Sequence, residues 1–488
     1  MSMKETKENQ TEEEALAQRE RQQFVKMTQT PMAKLIIDLG IPTTLSMMVT
    51  SLYNLADTYF VSLLGNDAVT AAVGNLLALM SIIQAIGFTF GMGCGSIVSR
   101  LLGKRDRSGA DRVASSAFAI ACVCGTLILV FGMLFLTPLM KLFGSKSGDV
   151  LAYSKQYARF ILIAAPFMCM SFVMNNALRA EGKAVLSMVG LITGAVINVA
   201  LDPLLIFTAK LGVTGAALAT CISQIISFLV LLFMFLSGKT VVRIRFRAIA
   251  RTFATYGEII STGFPSFCRQ ILASLCTVFL NNAAYTYGGE AAQASFSVVQ
   301  KVFMLAFSLS LGIGQGYQPV LGYNYSAKRF LRVKEAYLFT LTFSTTVMVV
   351  FAGVCAIFAG NIMQMFSLSQ QASQIGTLTL RLQCICMPLL PLNFMAGITY
   401  QTVGSKAIAS LLSVSRQGLF YIPAVLILPR LVGLIGVQSC QSVSDVCSFL
   451  FSIPFTVLFL KDLVRRQKTA DEVSEETEDI AVREVWSE

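Results

Sequence analysis

Apolar runs of about 20 residues or more, each bounded by charge or by Gly/Pro clusters, recur about twelve times along this chain. As a helix, a run of that length spans the hydrocarbon of a bilayer, and it satisfies its own backbone N–H and C=O groups where no water can. The runs fall at 34–63, 68–100, 113–138, 154–178, 184–209, 212–237, 255–286, 291–323, 333–359, 371–402, 407–429 and 432–460. With 55% hydrophobic and 13% charged residues, the chain is too apolar for a soluble domain of its length. The expected fold is an all-α integral membrane protein with twelve transmembrane helices.

Basic residues set the orientation, because cytoplasmic loops retain Lys and Arg. One set of loops carries Lys104, Arg105, Arg107, Arg112, Arg179, Lys183, Lys239, Arg243, Arg245, Arg247, Arg251, Lys328, Arg329, Arg332 and Lys334. The alternate loops hold little beyond Lys141, Lys146, Lys210 and Arg430. An even number of spans then puts both termini in the cytoplasm. Topology accounts for the net charge of +11, so no nucleic-acid partner is expected. The polar N-terminus lacks the apolar segment of a signal peptide and reads as a mobile tail or a short surface helix. The acidic end, "DEVSEETEDIAVREVWSE", reads as disordered.

The second half echoes the first at an offset of about 222 residues. "GIPTTL" at Gly40 answers to "GFPSFC" at Gly263, "LGNDAV" at Leu64 to "YGGEAA" at Tyr287, and "GMGCG" at Gly91 to "GIGQG" at Gly312. "EGKA" at Glu181 answers to "GSKA" at Gly404, and "LGVTGAA" at Leu211 to "VGLIGVQ" at Val432. Six spans per copy is an even number, so both copies enter the membrane in the same direction. Two six-helix lobes related by a pseudo-two-fold along the membrane normal follow. The expected division is an N-terminal tail 1–30, an N-lobe 31–238, a cytoplasmic linker 239–254, a C-lobe 255–462 and an acidic cytoplasmic tail 463–488. Two bundles facing each other leave a cleft suited to alternating access. Gly91 with Gly95, and Gly312 with Gly316, are read as close-packing or hinge positions within helices.

The chain has no histidine, which removes His-containing metal sites and Ser-His or Cys-His catalysis. Its cysteines are scattered through the spans as small apolar packing residues. Neither an enzyme activity nor a cofactor is expected.

Within this apolar setting, "NVALDPLLIF" keeps a carboxylate at Asp202. Asp202 lies eight residues before Lys210, about 12 Å inside the outer end of span five. Asp57 lies eight residues before Gly65, and Thr220 eight residues after Gly212, so three helices present polar groups at one depth. Asn198 precedes Asp202 by four residues and shares its helix face. Pro203 leaves the carbonyl of Val199 without its helical partner. No basic residue of this half sits at that depth, and two carboxylates in low dielectric cannot both stay ionised cheaply. The pocket therefore suits a proton or a sodium ion, held by Asp57, Asn198, Asp202 and Thr220.

The stretches "PTTLSMMVTSLYNLADTYFVSLLG", "ALRAEGKA", "NVALDPLLIF", "LGVTGAALAT" and "GQGYQPVLGYNYSAKR" resemble the multidrug and toxic compound extrusion (MATE) transporters, over residues 30–462. The branch they are most similar to is the bacterial DNA-damage-inducible and MepA type. That resemblance implies a multi-pass protein of the bacterial cytoplasmic membrane. It implies efflux of cationic or amphipathic drugs in exchange for protons or sodium, the proton being preferred, and a part in antibiotic resistance. It matches the family's N-lobe cation site to Asp57, Asn198, Asp202 and Thr220. Another branch carries an acidic residue in span seven, where this chain has Arg269 and no carboxylate.

Tyr53, Asn54, Met170, Met174 and Asn175 are candidates to line a cleft for flat apolar cations, since Met and aromatic faces adapt to varied ligands. In the second half, Arg269, Lys301, Arg381 and Arg416 with Asp445 read as a structural ion-pair network. The expected partners are small-molecule drugs and membrane lipid, around a monomer. The alternative within transport is a lipid-linked oligosaccharide flippase of the same superfamily.

Overall fold

A computed structural model describes residues 3–63, 67–145, 148–366 and 369–485. Leu64 to Asn66, which include the start of the "LGNDAV" repeat and the depth marker Gly65, and also Lys146, lie outside the described residues. Among the described residues, eleven helices are long and apolar enough to cross a membrane. One of them, Phe253–Ser326, is 74 residues long and turns at Gly289, where φ is 65° and ψ −161°. Glycine alone adopts that backbone readily, and the turn divides the helix into spans seven and eight. The protein is therefore an all-α assembly of twelve spans in two lobes.

Spans one to six are Met32–Ser62, Asp67–Gly103, Arg107–Leu134, Gly148–Ala180, Ala184–Pro203 and Val213–Leu236. Span nine is Phe330–Ile357. Span ten joins Gln370–Cys386 to Leu390–Val403 through a short 3₁₀ turn. Span eleven joins Lys406–Val414 to Ile422–Val432 through a wide π-helical turn, Ser415–Tyr421. Span twelve opens the helix Leu434–Val485. The disorder expected for the acidic end is not what the backbone does, since this helix continues through Val485. A helix propagates cheaply once nucleated, and span twelve supplies the nucleus.

The N-terminal segment is likewise longer than a short helix. Residues Met3–Gln29 form one helix. Its last turns dock on the basic loops: Asn324 Nδ2 donates to the Met27 carbonyl at 3.0 Å, Arg329 to Thr28 at 2.7 Å and Arg332 to Thr30 at 2.6 Å. The Arg105 guanidinium lies 4.3 Å from the centre of the Phe24 ring. Four helix-end carbonyls have no intrahelical donor, and these cationic side chains take several of them.

The linker is held by side chains of the N-lobe. Fully buried Glu181 accepts the Val241 and Val242 N–H groups, each at 2.9 Å, and pairs with Lys183 at 3.1 Å. Burial pushes the Glu181 carboxyl above its ordinary value, and Lys183 with the two N–H donors offsets only part of that rise. Asp111 accepts the Arg243 N–H at 2.8 Å, and Ser115 that of Arg245 at 3.0 Å.

The lobes meet along the halves of their helices nearest the basic loops. A Cβ built on Gly263 of span seven would lie 1.8 Å from the Thr89 carbonyl oxygen of span two. The two backbones are in direct contact there, and only glycine permits it. Gln318 donates to Ser96 Oγ at 2.8 Å, Arg179 donates to Gln315 Oε1, and Arg100 pairs with Glu258 at 3.4 Å. Farther in, Ser51 and Ser308 hydroxyls are 2.5 Å apart.

Candidate cation-coupling site

Span five packs against spans one and six, and span six against span four. This brings four helices around one point. Immediately after Pro203, span five widens into a π-helical turn, Leu204–Thr208. Proline cannot supply the N–H that would close an ordinary turn, and a wider turn accommodates the loss. Asp202 sits just before this widening, fully buried, and neither carboxylate oxygen has a hydrogen-bond donor among the described residues.

The sequence-predicted residues do come together. Asn198 is buried one turn before Asp202, and its Nδ2 donates to Thr220 Oγ1 at 3.4 Å. Its own Oδ1 is buried without a donor. Half-buried Asp57 is the charged neighbour of Asp202. Asp57 Oδ2 accepts from the Tyr157 hydroxyl at 3.4 Å, while Oδ1 is buried and lacks a donor. Among the described residues, no basic side chain acts on either carboxylate. Four acceptor oxygens, from Asp57, Asn198 and both sides of Asp202, are thus buried without a donor among the described residues. Acceptors cannot satisfy one another, and leaving them bare in an apolar interior is costly. Their chemical complement is a proton or a hard monovalent cation. Among the described residues no group of three His, Cys, Asp or Glu side chains gathers to hold a transition metal.

Sequence reasoning missed two members. Tyr157 is buried on span four, bonded to Asp57 and within reach of Thr220. Gln224, one turn after Thr220, hydrogen-bonds to Tyr53. Counting eight residues of depth from the true start of span four at Gly148, rather than from 154, leads to Gln156, the neighbour of Tyr157. The four-residue spacing that linked Asn198 to Asp202 would have found Gln224 from Thr220.

The cleft candidates divide. Tyr53 and Asn54 are half-buried on span one beside the cluster. Met170, Met174 and Asn175 are instead buried inside the N-lobe, and Asn175 donates to the Ser187 carbonyl at 3.1 Å. Span four is the central helix of the lobe, packed against spans two, three and six, so these side chains do not line an open cleft.

The paired glycine motifs serve different contacts. Cβ atoms on Gly91 and Gly95 would meet Asn176 of span four, within the N-lobe, at 2.5 and 3.3 Å. On Gly312 and Gly316 they would meet Thr44 and Gly40 of span one, across the lobes, at 2.4 and 2.5 Å. Neither helix breaks at these positions, and the close approaches mark them as packing contacts in this structure.

Among the described residues the expected ion-pair network of the C-lobe reduces to one pair, Arg416 Nε to Asp445 Oδ1 at 2.8 Å, both residues buried. Lys301 rests 5.6 Å from the Phe366 ring centre, Arg269 bonds Ser266, and Arg381 is exposed. One carboxylate cannot partner four cations placed on four helices.

The MatE family model matches residues 42–204 and 265–427, one copy in each lobe. The chain is 27% identical over 454 residues to the multidrug export protein MepA of Staphylococcus haemolyticus (strain JCSC1435), covering 93% of this chain and 98% of that protein. It is 25% identical over 416 residues to the multidrug export protein MepA of Staphylococcus aureus (strain NCTC 8325 / PS 47), covering 85% and 91%. Among solved structures it is similar to the outward-facing conformation of a multidrug resistance MATE family transporter of the MOP superfamily. That likeness has a TM-score of 0.86 and 27% identity, covering 90% of this chain and 98% of the other. A MATE crystal structure in the straight conformation matches with a TM-score of 0.85 at 26% identity, covering 91% and 99%.

Proposed function

The chain belongs to the MatE family, and on that footing we propose that it is a secondary active antiporter, exporting cationic or amphipathic compounds in exchange for protons or sodium. The observation that carries this reading is the set of four donorless acceptor oxygens on Asp57, Asn198 and Asp202. Such a set gains most from a cation, and two neighbouring carboxylates repel until one arrives. Cation entry would draw spans one, five and six together, and the drug would leave from the same lobe. Coupling follows from that competition, because each ligand lowers the affinity for the other by the same factor.

The basic loops and both termini are placed in the cytoplasm of a bacterial cell, so the sealed ends of the lobes close the cytoplasmic side. The conformation is then outward-facing, and a single chain is the working unit. A flippase for a lipid-linked pyrophosphate is not favoured, since the coupling lobe presents carboxylates where that substrate would need cations. Ethidium efflux from inverted vesicles, driven separately by proton and by sodium gradients, tests the reading. Efflux under one gradient and not the other names the ion, and efflux under neither refutes antiport. Reporter fusions after Asp106 and after Arg245 should report cytoplasm.

A further inference from the structure

The helix Met3–Gln29 precedes span one and has no part in the coupling cluster, yet it touches both lobes. From Leu16 to Gln29 it extends about 20 Å by helix rise. In so polar a helix, the buried side chains of Leu16 and Met27 mark a face laid on the protein. Arg19 donates to the Gly238 carbonyl just after span six, and the Phe24 ring carries the Arg105 guanidinium from the turn after span two. A Cβ built on Gly182, in the turn between spans four and five, would lie 2.6 Å from Gln23 Nε2 and 2.7 Å from Met27 Sδ. The helix therefore packs directly on the backbone of that N-lobe turn.

The C-lobe takes the other end. The carbonyls of Met27, Thr28 and Thr30 accept from Asn324, Arg329 and Arg332, at the end of span eight and the start of span nine. Arg332 Nε also donates to Asn324 Oδ1 at 3.3 Å, which ties two of the three donors together. Cationic donors suit the bare carbonyls and the negative end of the macrodipole at a helix C-terminus. Both docking points lie just outside the contacts that seal the lobes. Gly182 is three residues beyond Arg179, which donates to Gln315, and Asn324 is six residues beyond Gln318, which donates to Ser96. The helix thus lies over the seal. Opening at this end would carry the two docking points apart, and one helix cannot follow both.

We propose that the N-terminal helix is a latch between the lobes: docked, it favours the state closed at the basic-loop end, and it must leave Asn324, Arg329 and Arg332 before the chain opens inward. The inference rests on the alternating-access reading above. Its test uses neither drug nor ion gradient, so the two fail separately: absent gradient-driven efflux refutes antiport, and unchanged opening refutes the latch.

The test is alkylation of a single cysteine, Ser96→Cys, by a membrane-impermeant maleimide in inverted vesicles holding the full chain in an otherwise cysteine-free background. Ser96 is fully buried at the seal, so the labelling rate follows the open population. The Arg329→Gln, Arg332→Gln double variant removes two charge-assisted hydrogen bonds, and labelling at least tenfold faster is expected. Phe24→Ala, outside every span, loosens the N-lobe side without touching the arginines, and about threefold faster labelling is expected. Cys169, fully buried inside the N-lobe, serves as the control when kept as the single cysteine instead, and its rate should not change in either variant. Labelling of Ser96→Cys at the parent rate in either variant overturns the latch. Equal acceleration at Cys169 overturns it as well, because the lobe has then loosened as a whole.

Discussion

The Tyr157 hydroxyl donates to Asp57 Oδ2 at 3.4 Å, tying span four to span one at the level of Asp202. Span four is the buried centre of the N-lobe, packed against spans two, three and six, so this bond connects the candidate cation site to the most enclosed helix of the lobe. Tyr157→Phe removes the bond and little else. A loss of about 1 kcal/mol in cation binding is expected, about a fivefold shift in the ion concentration needed for half-maximal efflux. Transport assays over an ion titration would check it, and an unchanged midpoint would remove Tyr157 from the site.

Asp202→Asn should reduce gradient-driven efflux to background while the protein still inserts in the membrane. The amide keeps the size of the side chain but can neither titrate nor hold a cation by charge. Asp57→Asn should behave similarly. Membrane fractions probed for expression, alongside dye efflux, separate loss of coupling from loss of protein; full efflux in Asp202→Asn would sink the assignment.

Cationic drugs should bind more weakly as pH falls, because protonating the Asp57 and Asp202 pair removes the charge that attracts them. The measurement is fluorescence polarisation of a dye in detergent from about pH 5.5 to 8.5, with and without sodium, across the range where a desolvated carboxylate takes up its proton. The Asp57→Asn, Asp202→Asn double variant should give a flat profile. An identical profile in the two proteins would move the coupling site elsewhere. Weakening by sodium at constant high pH would identify a sodium site.

Gly263→Val should open the seal between the lobes, because its Cβ would start 1.8 Å from the Thr89 carbonyl oxygen. Relieving that overlap costs about 1–3 kcal/mol and shifts the sealed state by about tenfold or more. In a cysteine-free background, alkylation of Ser96→Cys reads it out, since Ser96 is fully buried against Gln318. Labelling should be slow with Gly263 present and fast in Gly263→Val. Equal rates would mean that the seal does not depend on this contact.

Hydropathy, charge and the repeated motifs determined that this chain is a bundle of twelve spans in two copies. In a bilayer an unpaired backbone group has no water to turn to, so a long apolar run has few structures open to it. Asp202, Asn198, Asp57 and Thr220 were legible for the same reason. A polar group in such a run stands out, and helix rise fixes its depth. The tertiary structure decided what hydropathy cannot encode, because lipid and a neighbouring helix are equally apolar and a span shows no clear buried stripe. Met174 and Asn175 therefore read as cleft residues until span four proved to be surrounded. Gly91 and Gly312 share a motif, yet one faces its own lobe and the other the opposite lobe. Which of four cations would claim Asp445 likewise depended on how span eleven, with its π-helical turn, meets span twelve. Partners are chosen by how helices pack, and packing joins residues that are distant in the chain.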